Sequence, residues 1–421
     1  MTTLVRVGEA LTRPADFEVD PFELRLNARR FRGWTEVAFS SSIEEAVRTL
    51  SVTLIGALQD TAEEEVTAGD LVSAWVGKDQ LFSGYAETFS DESGADSESL
   101  SIECRSKTCD LVDCSAPVKS WSNIRLDKLV AALCDGFAVS IVFAEAAAAA
   151  KLIRKFRTTA GETVFAALDR LAKEQGLLVT DDETGRLVIT RAAGGSAGTS
   201  TASSTSGSGG DGVKGPESST LTVTTTSAGR ASISTTRLVR GRNILASSGT
   251  WDLSGRFSAY TVKGQTITDL DVDASAVGDA SDPGITRYRP LVIIPEKGVD
   301  RQGARDLARW EAVTRAGNSL RVSVTLAGWR QDDGTLWRPN QLVRVTDRRK
   351  RLLDATLLIT RVAMTLSAAG GRKTVLDLAP AAGFTPYVPG VPILEGAGRW
   401  FGEVEGTTRP DAAELRKLGA Q

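Results

Sequence analysis

The hexamer Ser51-Val52-Thr53-Leu54-Ile55-Gly56 returns as Ser323-Val324-Thr325-Leu326-Ala327-Gly328, and the segments that follow each copy stay in step. Leu71-Val72 is matched by Leu342-Val343, GYAETF at 84–89 by ITRVAMTL at 359–366, and SLSIEC at 99–104 by KTVLDL at 373–378. Four strand-like segments at near-equal spacing point to duplication of a whole unit, because chance supplies one matching hexamer far more readily than four in order. Apolar and polar residues alternate along these segments with the period of strands that have one covered face. The expected fold class is therefore mainly β with α+β parts: two similar β-barrel domains flanking a central α+β module.

Working outward from the repeat divides the chain. Residues 1–21 read as an N-terminal arm, 22–118 as the first barrel domain, 119–192 as the α+β module and 319–388 as the second barrel domain. In the module, Leu126, Leu129, Val130 and Leu133 share one helical face, with Gly136 placed to stop the helix. Thr159 and Glu162 read as a capping box for a second helix that carries Val164, Phe165, Leu168, Leu171 and Ala172 and ends at Gly176. LLVTDDETGRLVIT at 177–190 reads as a hairpin, and the alanine run at 144–150 as helix-prone. Residues 193–236 are rich in Ser, Thr and Gly, with too little apolar surface to offset ordering entropy, and read as a loop or insertion. Within it, LTVTTT and SISTT could pair as a hairpin against a neighbouring edge. Residues 237–318 read as a β-rich connecting domain with an Arg-rich, solvent-facing helix near 301–316, and 389–421 as a tail that orders against a partner.

Composition removes several classes of function. The 421 residues include no histidine, which excludes Ser-His-Asp and Cys-His nucleophiles and histidine metal ligands. Lys and Arg number 50 against 53 Asp and Glu, a balance that does not suit a general polyanion binder. Cys104, Cys109 and Cys114 are separated by four residues each and Cys134 stands alone, which fits neither a zinc knuckle nor an iron–sulfur run, so the thiols are read as reduced and structural. With no long apolar run, neither a cleavable signal nor a membrane segment is expected.

The local motifs yield no catalytic, cofactor or metal site. GSGGDG at 207–212 spells a dinucleotide fingerprint but lacks the strand before it and the helix after it. GGRKT at 370–374 has Arg372 where a phosphate loop needs glycine, and Asp269, Asp271 and Asp273 lack the glycine and glutamate of a calcium loop. No pair of carboxylates is marked out for acid/base hydrolysis. Arg348-Arg349-Lys350-Arg351 reads first as a charged hairpin tip, and more sharply as a docking contact to an acidic partner or to passing DNA. Trp34, Trp75, Trp310, Trp329 and Trp337 read first as core side chains. Because Trp and Arg dominate interfaces, Trp34, Trp329, Trp337 and Trp400 stand with the basic run as candidate contact residues.

FRGWTEVAFSSSIEEAVRTLSVTL, CRSKTCDLVDCSA, ETVFAALDRLAKEQGLLVTDDETGRLVITR, RFSAYTVKGQ, TRYRPLVII, GWRQDDGTLWRPNQLVRVTD and LDLAPAAGFTP occur in that order. Together they resemble the baseplate hub protein of Mu-like contractile-tailed bacteriophages, the tail protein gpP family, over about residues 25–388; the Ser/Thr/Gly tract departs from the family pattern. The resemblance implies a virion protein of the tail baseplate, made and assembled in the bacterial host cytoplasm. It implies a homotrimer whose pseudo-sixfold ring joins a hexameric tail tube protein to a trimeric central spike protein. The ring would contact other baseplate (wedge) proteins and pass DNA or a tape-measure protein. It implies no cofactor and no enzymatic activity. A hub of a phage-derived secretion or tailocin particle is the alternative within that class, and a baseplate-associated peptidoglycan hydrolase the alternative outside it.

Overall fold

The computed structural model of the chain describes residues 20–27, 29–31, 34–55, 67–93, 98–193, 223–225, 233–268, 271–295 and 298–387. The arm up to residue 19, the tail from 388 with Trp400, and most of the 193–236 tract lie outside the described residues.

The first unit runs through β1 (Phe22–Leu26), β2 (Arg29–Phe31), β3 (Glu36–Ser42), β4 (Thr49–Ile55), β5 (Leu71–Val76), β6 (Asp79–Ser93) and β7 (Glu98–Ser106). The module follows with α1 (Cys109–Asp113), β8 (Ser120–Arg125), α2 (Leu126–Leu133), β9 (Ile141–Phe143), α3 (Ala146–Ala149), β10 (Leu152–Arg157), α4 (Val164–Glu174), β11 (Leu178–Asp181) and β12 (Leu187–Thr190). After β13 (Val223–Thr225) come β14 (Ile233–Val239) and β15 (Ile244–Trp251), then β16 (Ala259–Thr268), β17 (Asp271–Ser281), β18 (Pro290–Ile293) and α5 (Arg301–Asn318). The second unit closes the described chain with β19 (Leu320–Ala327), β20 (Leu342–Asp347), β21 (Leu352–Ser367) and β22 (Gly371–Ala379).

The duplication is carried by topology as well as sequence. Across the first unit the strands lie in the order β3-β4-β7-β6-β5-β1, and across the second in the order β15-β19-β22-β21-β20-β14. Registers correspond residue by residue: Val52 faces Ile102, which faces Phe89, as Val324 faces Leu376, which faces Val362. Both long strands carry a bulge at the same place, Glu87 in β6 and Thr360 in β21. A second irregularity falls after Ala74 in β5 and after the matching Val345 in β20. A bulge bends its strand. Accordingly the first half of β6 pairs with β5, and the first half of β21 with β20, while their second halves continue along β7 and β22. By register Ile359 of β21 corresponds to Ala86 of β6, since each precedes the bulge residue of its strand.

The two units expected as β-barrel domains share one sheet among the described residues. Residues 361–367 of β21 pair antiparallel with 42–36 of β3, merging both units into one thirteen-stranded sheet, with no closed barrel among the described strands. Alternation of apolar and polar residues dictates which face of a strand is covered but not which edge it pairs with, so this seam was invisible to periodicity. One apolar core serves both units, with Leu24, Val52, Phe82 and Ile102 from the first and Val324, Val345, Val362 and Leu376 from the second.

The module packs its own core from Leu129, Leu133, Phe143, Phe156, Leu168 and Leu171. All four residues expected on the α2 face are buried, and Gly136 and Gly176 take left-handed conformations after their helices. The α4 start differs from expectation. Its N-cap is Thr163, whose hydroxyl accepts from the Ala166 amide, while Glu162 caps the preceding turn at the Thr159 amide. The alanine run forms only the single turn α3, because Leu152 starts strand β10 immediately afterwards. The polar pieces near 223 and 233 do not pair with each other: β13 adds to β9 and β14 adds to β20, both in parallel.

The module is clamped to both units. The Arg48 guanidinium and Asp181 carboxylate form a buried pair at 3.1 Å, and the Arg48 side chain also donates to the Asp181 carbonyl. On the other side, Asn340 accepts from the Ala193 amide and donates to the Arg191 carbonyl. The α5 helix buries a stripe of Ala304, Ala308, Ala312 and Ala316 and keeps its arginines outward. The helix packs on the three-stranded sheet β17-β16-β18.

Candidate assembly surface

The seam between the units shows how this chain joins sheets. At the seam Val362 faces Ser41 and Met364 faces Phe39 on the covered side, while Ala363 faces Ser40 and Thr365 faces Ala38 on the open side. The Ile43 amide donates to the carbonyl of the bulge residue Thr360, and the Arg361 guanidinium donates to the Ser40 hydroxyl.

The open side of the merged sheet is built from small and hydroxylated residues, among them Ser40, Ser51, Ser323, Thr325, Ala363 and Thr365. Its charges largely pair within the face. Arg105 lies 3.3 Å from Glu87 and 2.7 Å from Asp113, and Arg361 lies 3.6 Å from Asp377. The face is concave, with a cavity of about 510 Å³ lined by Ser40, Ser51, Glu103, Arg105, Arg361 and Thr365.

Of the sheet edges that have no partner among the described strands, two occupy matching places in the two units. One is the second half of β6 beyond its bulge; the other is the outer edge of β15. They are the edges that correspond to β21 and β3, the two strands that make the seam. Each carries an aromatic residue: Phe89 is half-buried against the core, and Trp251 is 37% exposed.

The basic run sits beside the β15 edge. Arg348–Lys350 form a single 3-10 turn at the tip between β20 and β21, and Arg351 closes it in the left-handed region at φ 56°. Asp347 anchors the turn: its carboxylate accepts from the Ser247 hydroxyl of β15 at 3.0 Å, from Arg240 at 3.3 Å and from the Arg349 amide at 3.1 Å. Burial opposes ionisation of Asp347, but these hydrogen bonds and the Arg240 and Lys350 charges outweigh it and hold the carboxyl below its usual range. Arg348, Arg349 and Arg351 are exposed.

The tryptophan candidates are distributed differently. Trp329 is buried, donates to the Thr365 and Lys373 carbonyls, stacks edge-on with Phe22 and lies 4.9 Å under the Arg372 guanidinium. Trp337 is buried in the same core, and Trp34 is half-buried against it. Trp251 and Phe89 were not singled out by sequence, since nothing local distinguishes an open strand edge from a paired one.

Three of the four cysteines are buried, and burial pushes the thiols of Cys104, Cys109 and Cys134 up to about 12. Cys114 is exposed. Among the described residues, no group of three or more Cys, Asp or Glu is arranged to hold a metal, and no helix is long and apolar enough to cross a membrane.

Three family models match the chain in register with this architecture. Residues 22–106, the first unit, match the Mu phage baseplate assembly protein GpP-like N-terminal model, and residues 301–387, helix α5 with the second unit, match the GpP fourth-domain model. Residues 108–191, the module, match the second domain of the baseplate hub protein gp44-like model. The baseplate hub protein gp44 of Escherichia phage Mu is 29% identical over 375 residues, 86% of this chain and 88% of that protein. The chain belongs to the Mu-type baseplate hub family.

This hub protein is thus a structural virion protein of a contractile phage tail. Its fold is similar to the 43 kDa tail protein of prophage MuSo2 from Shewanella oneidensis, with a TM-score of 0.68 and 25% identity over 86% of this chain and 99% of the other. A tail protein from Neisseria meningitidis MC58 shares the fold at a TM-score of 0.64 and 19% identity, covering 87% and 98% of the two chains. In the hub protein the family models leave out 192–300, the stretch that contributes β13 to β18.

Proposed function

We propose that the hub protein assembles as a trimeric, pseudo-sixfold ring that joins the hexameric tail tube to the trimeric central spike. The observation that carries this reading is the seam: one chain sets two equivalent units side by side in one sheet, and both outer edges of that pair remain open. Three copies of a two-unit chain present six equivalent units, which matches a threefold partner on one side and a sixfold partner on the other. In such a ring the hydroxyl-rich face lines the bore, through which DNA or a tape-measure protein passes. Wedge proteins of the baseplate would contact the outside, with assembly in the host cytoplasm before incorporation at the tail tip.

The role is mechanical, and the chain acts through geometry rather than turnover. The expected mass in solution is three times the 44.7 kDa chain, measured by size-exclusion light scattering, with a ring in electron micrographs. A chain that stays monomeric at every concentration and salt condition would sink the proposal. Cell-wall zymography is expected to show no clearing, and clearing by the purified protein would favour the hydrolase alternative.

A further inference from the structure

Within the chain, two duplicated units join through unlike edges: the second half of β21 in one unit meets β3 in the other. The equivalent of β21 in the first unit is β6, and the equivalent of β3 in the second unit is β15. Both of these edges lack a strand partner among the described residues. A chain that can make this joint once has a second matched pair of edges left over, one at each end, and a single copy does not pair them with each other.

We infer that the β6 edge of one protomer pairs antiparallel with the β15 edge of a second copy of this chain, in the register inherited from the internal seam. Transferring that register residue by residue sets Phe89 opposite Trp251, Ser90 opposite Thr250, Asp91 opposite Gly249 and Glu92 opposite Ser248. The carbonyl of the bulge residue Glu87 then faces the Leu253 amide, as the Thr360 carbonyl faces the Ile43 amide within the chain.

Side chains along the two edges fit this register, although they played no part in deriving it. Phe89 and Trp251 become an aromatic cross-strand pair on the covered face, which accounts for an exposed tryptophan at a sheet margin. Asp91 arrives opposite Gly249, over which the Lys350 side chain passes: a Cβ on Gly249 would lie 3.2 Å from Lys350 Cδ and 2.9 Å from the Trp251 ring. An acidic strand end, Asp91-Glu92, thereby meets the basic tip Arg348–Arg351 of its neighbour. The basic run, for which sequence offered an acidic partner or DNA, is assigned here to the acidic edge of the next copy.

The inference rests on the trimeric reading and can fail separately from it. Opposite residues on paired strands sit within disulfide range, whereas partners shifted by two positions lie at roughly 7–8 Å or beyond. In a Cys114→Ser background, the pair Ser90→Cys with Thr250→Cys is expected to give covalent dimers and trimers on mild oxidation, seen on non-reducing gels. The shifted pair Ser90→Cys with Ser248→Cys is expected to give at least tenfold less. Equal yields from both pairs, or none from the first in a chain that still scatters as a trimer, overturn the seam and leave the ring. A chain that never exceeds monomer mass overturns the ring itself. A charge swap decides the question without cysteines: Asp91→Lys is expected to raise the concentration for half-assembly about tenfold, and adding Lys350→Asp to restore it. Failure of the second change to rescue the first overturns the assigned contact.

Discussion

Thr360 on β21 and Glu87 on β6 occupy the same bulge of a duplicated unit, each inserted between equivalent partners: Leu378 and Asp377 for the first, Cys104 and Glu103 for the second. Deleting Thr360 makes Ile359 and Arg361 consecutive opposite Leu378 and Asp377, so the ladder to β22 keeps its register and Val362, Met364 and Leu366 still face the core. What is lost is the bend that lets the first half of β21 run along β20, together with the Thr360 carbonyl's bond to the Ile43 amide at the seam. The expected loss is about 1–3 kcal/mol in urea unfolding. A stability within about 0.5 kcal/mol of the parent chain would show that the bend is not needed to seat both halves of β21.

The Arg48–Asp181 pair is buried on both sides, so removing one partner strands a charge away from water. Asp181→Ala is expected to cost about 3–5 kcal/mol, whereas Arg48→Met together with Asp181→Leu should cost clearly less. Chemical denaturation of the two variants tests this, and equal losses would argue that the pair's hydrogen bonds, rather than charge burial, set the penalty.

Close packing of α5 on β17 depends on a missing side chain. A Cβ on Gly278 would fall 2.2 Å from the Ala304 carbonyl carbon and from the Arg305 amide nitrogen, both backbone atoms that cannot step aside singly. Gly278→Ala is therefore expected to displace the helix and lower stability by about 1–3 kcal/mol in thermal unfolding. An unchanged melting temperature would contradict the placement.

Thiol reactivity should split one against three. Burial raises Cys104, Cys109 and Cys134 to about 12, while Cys114 is exposed. At pH 8 the native chain is expected to release one equivalent rapidly in a disulfide-exchange assay, and four in denaturant, the full count of its cysteines. Two or more fast thiols in the native chain would mean that this core opens.

With no histidine in the chain, assembly should be insensitive to pH between 7.5 and 6. Sensitivity is expected in acid. Asp347 has a folded-state value below its usual 3.8, so its contribution is complete well above that value and is lost as the pH falls through it. The Asp347 link from β15 to the basic tip should therefore loosen only in strong acid. The difference in tryptophan emission between the parent chain and Trp251→Phe would follow this, and Asp347→Asn should remove the transition. Ring dissociation near pH 6.5 would contradict the expectation.

Much of this molecule could be read from its residues. The SVTL repeat and its three trailing segments disclosed the duplication, and the 3.6-residue spacing of Leu126, Leu129, Val130 and Leu133 disclosed a buried helix face. The basic run at 348–351 was visible as charge. These features are local, and periodicity and turn chemistry act within a few residues. Tertiary structure alone decided that β21 meets β3, that β15 belongs to the second unit although α5 intervenes, and that Trp251 stands at an edge. Strand pairing joins backbone groups that are identical in every residue, so its choice of neighbour is not written in any one segment. That choice depends on how bulges and shared core shape bring distant edges together.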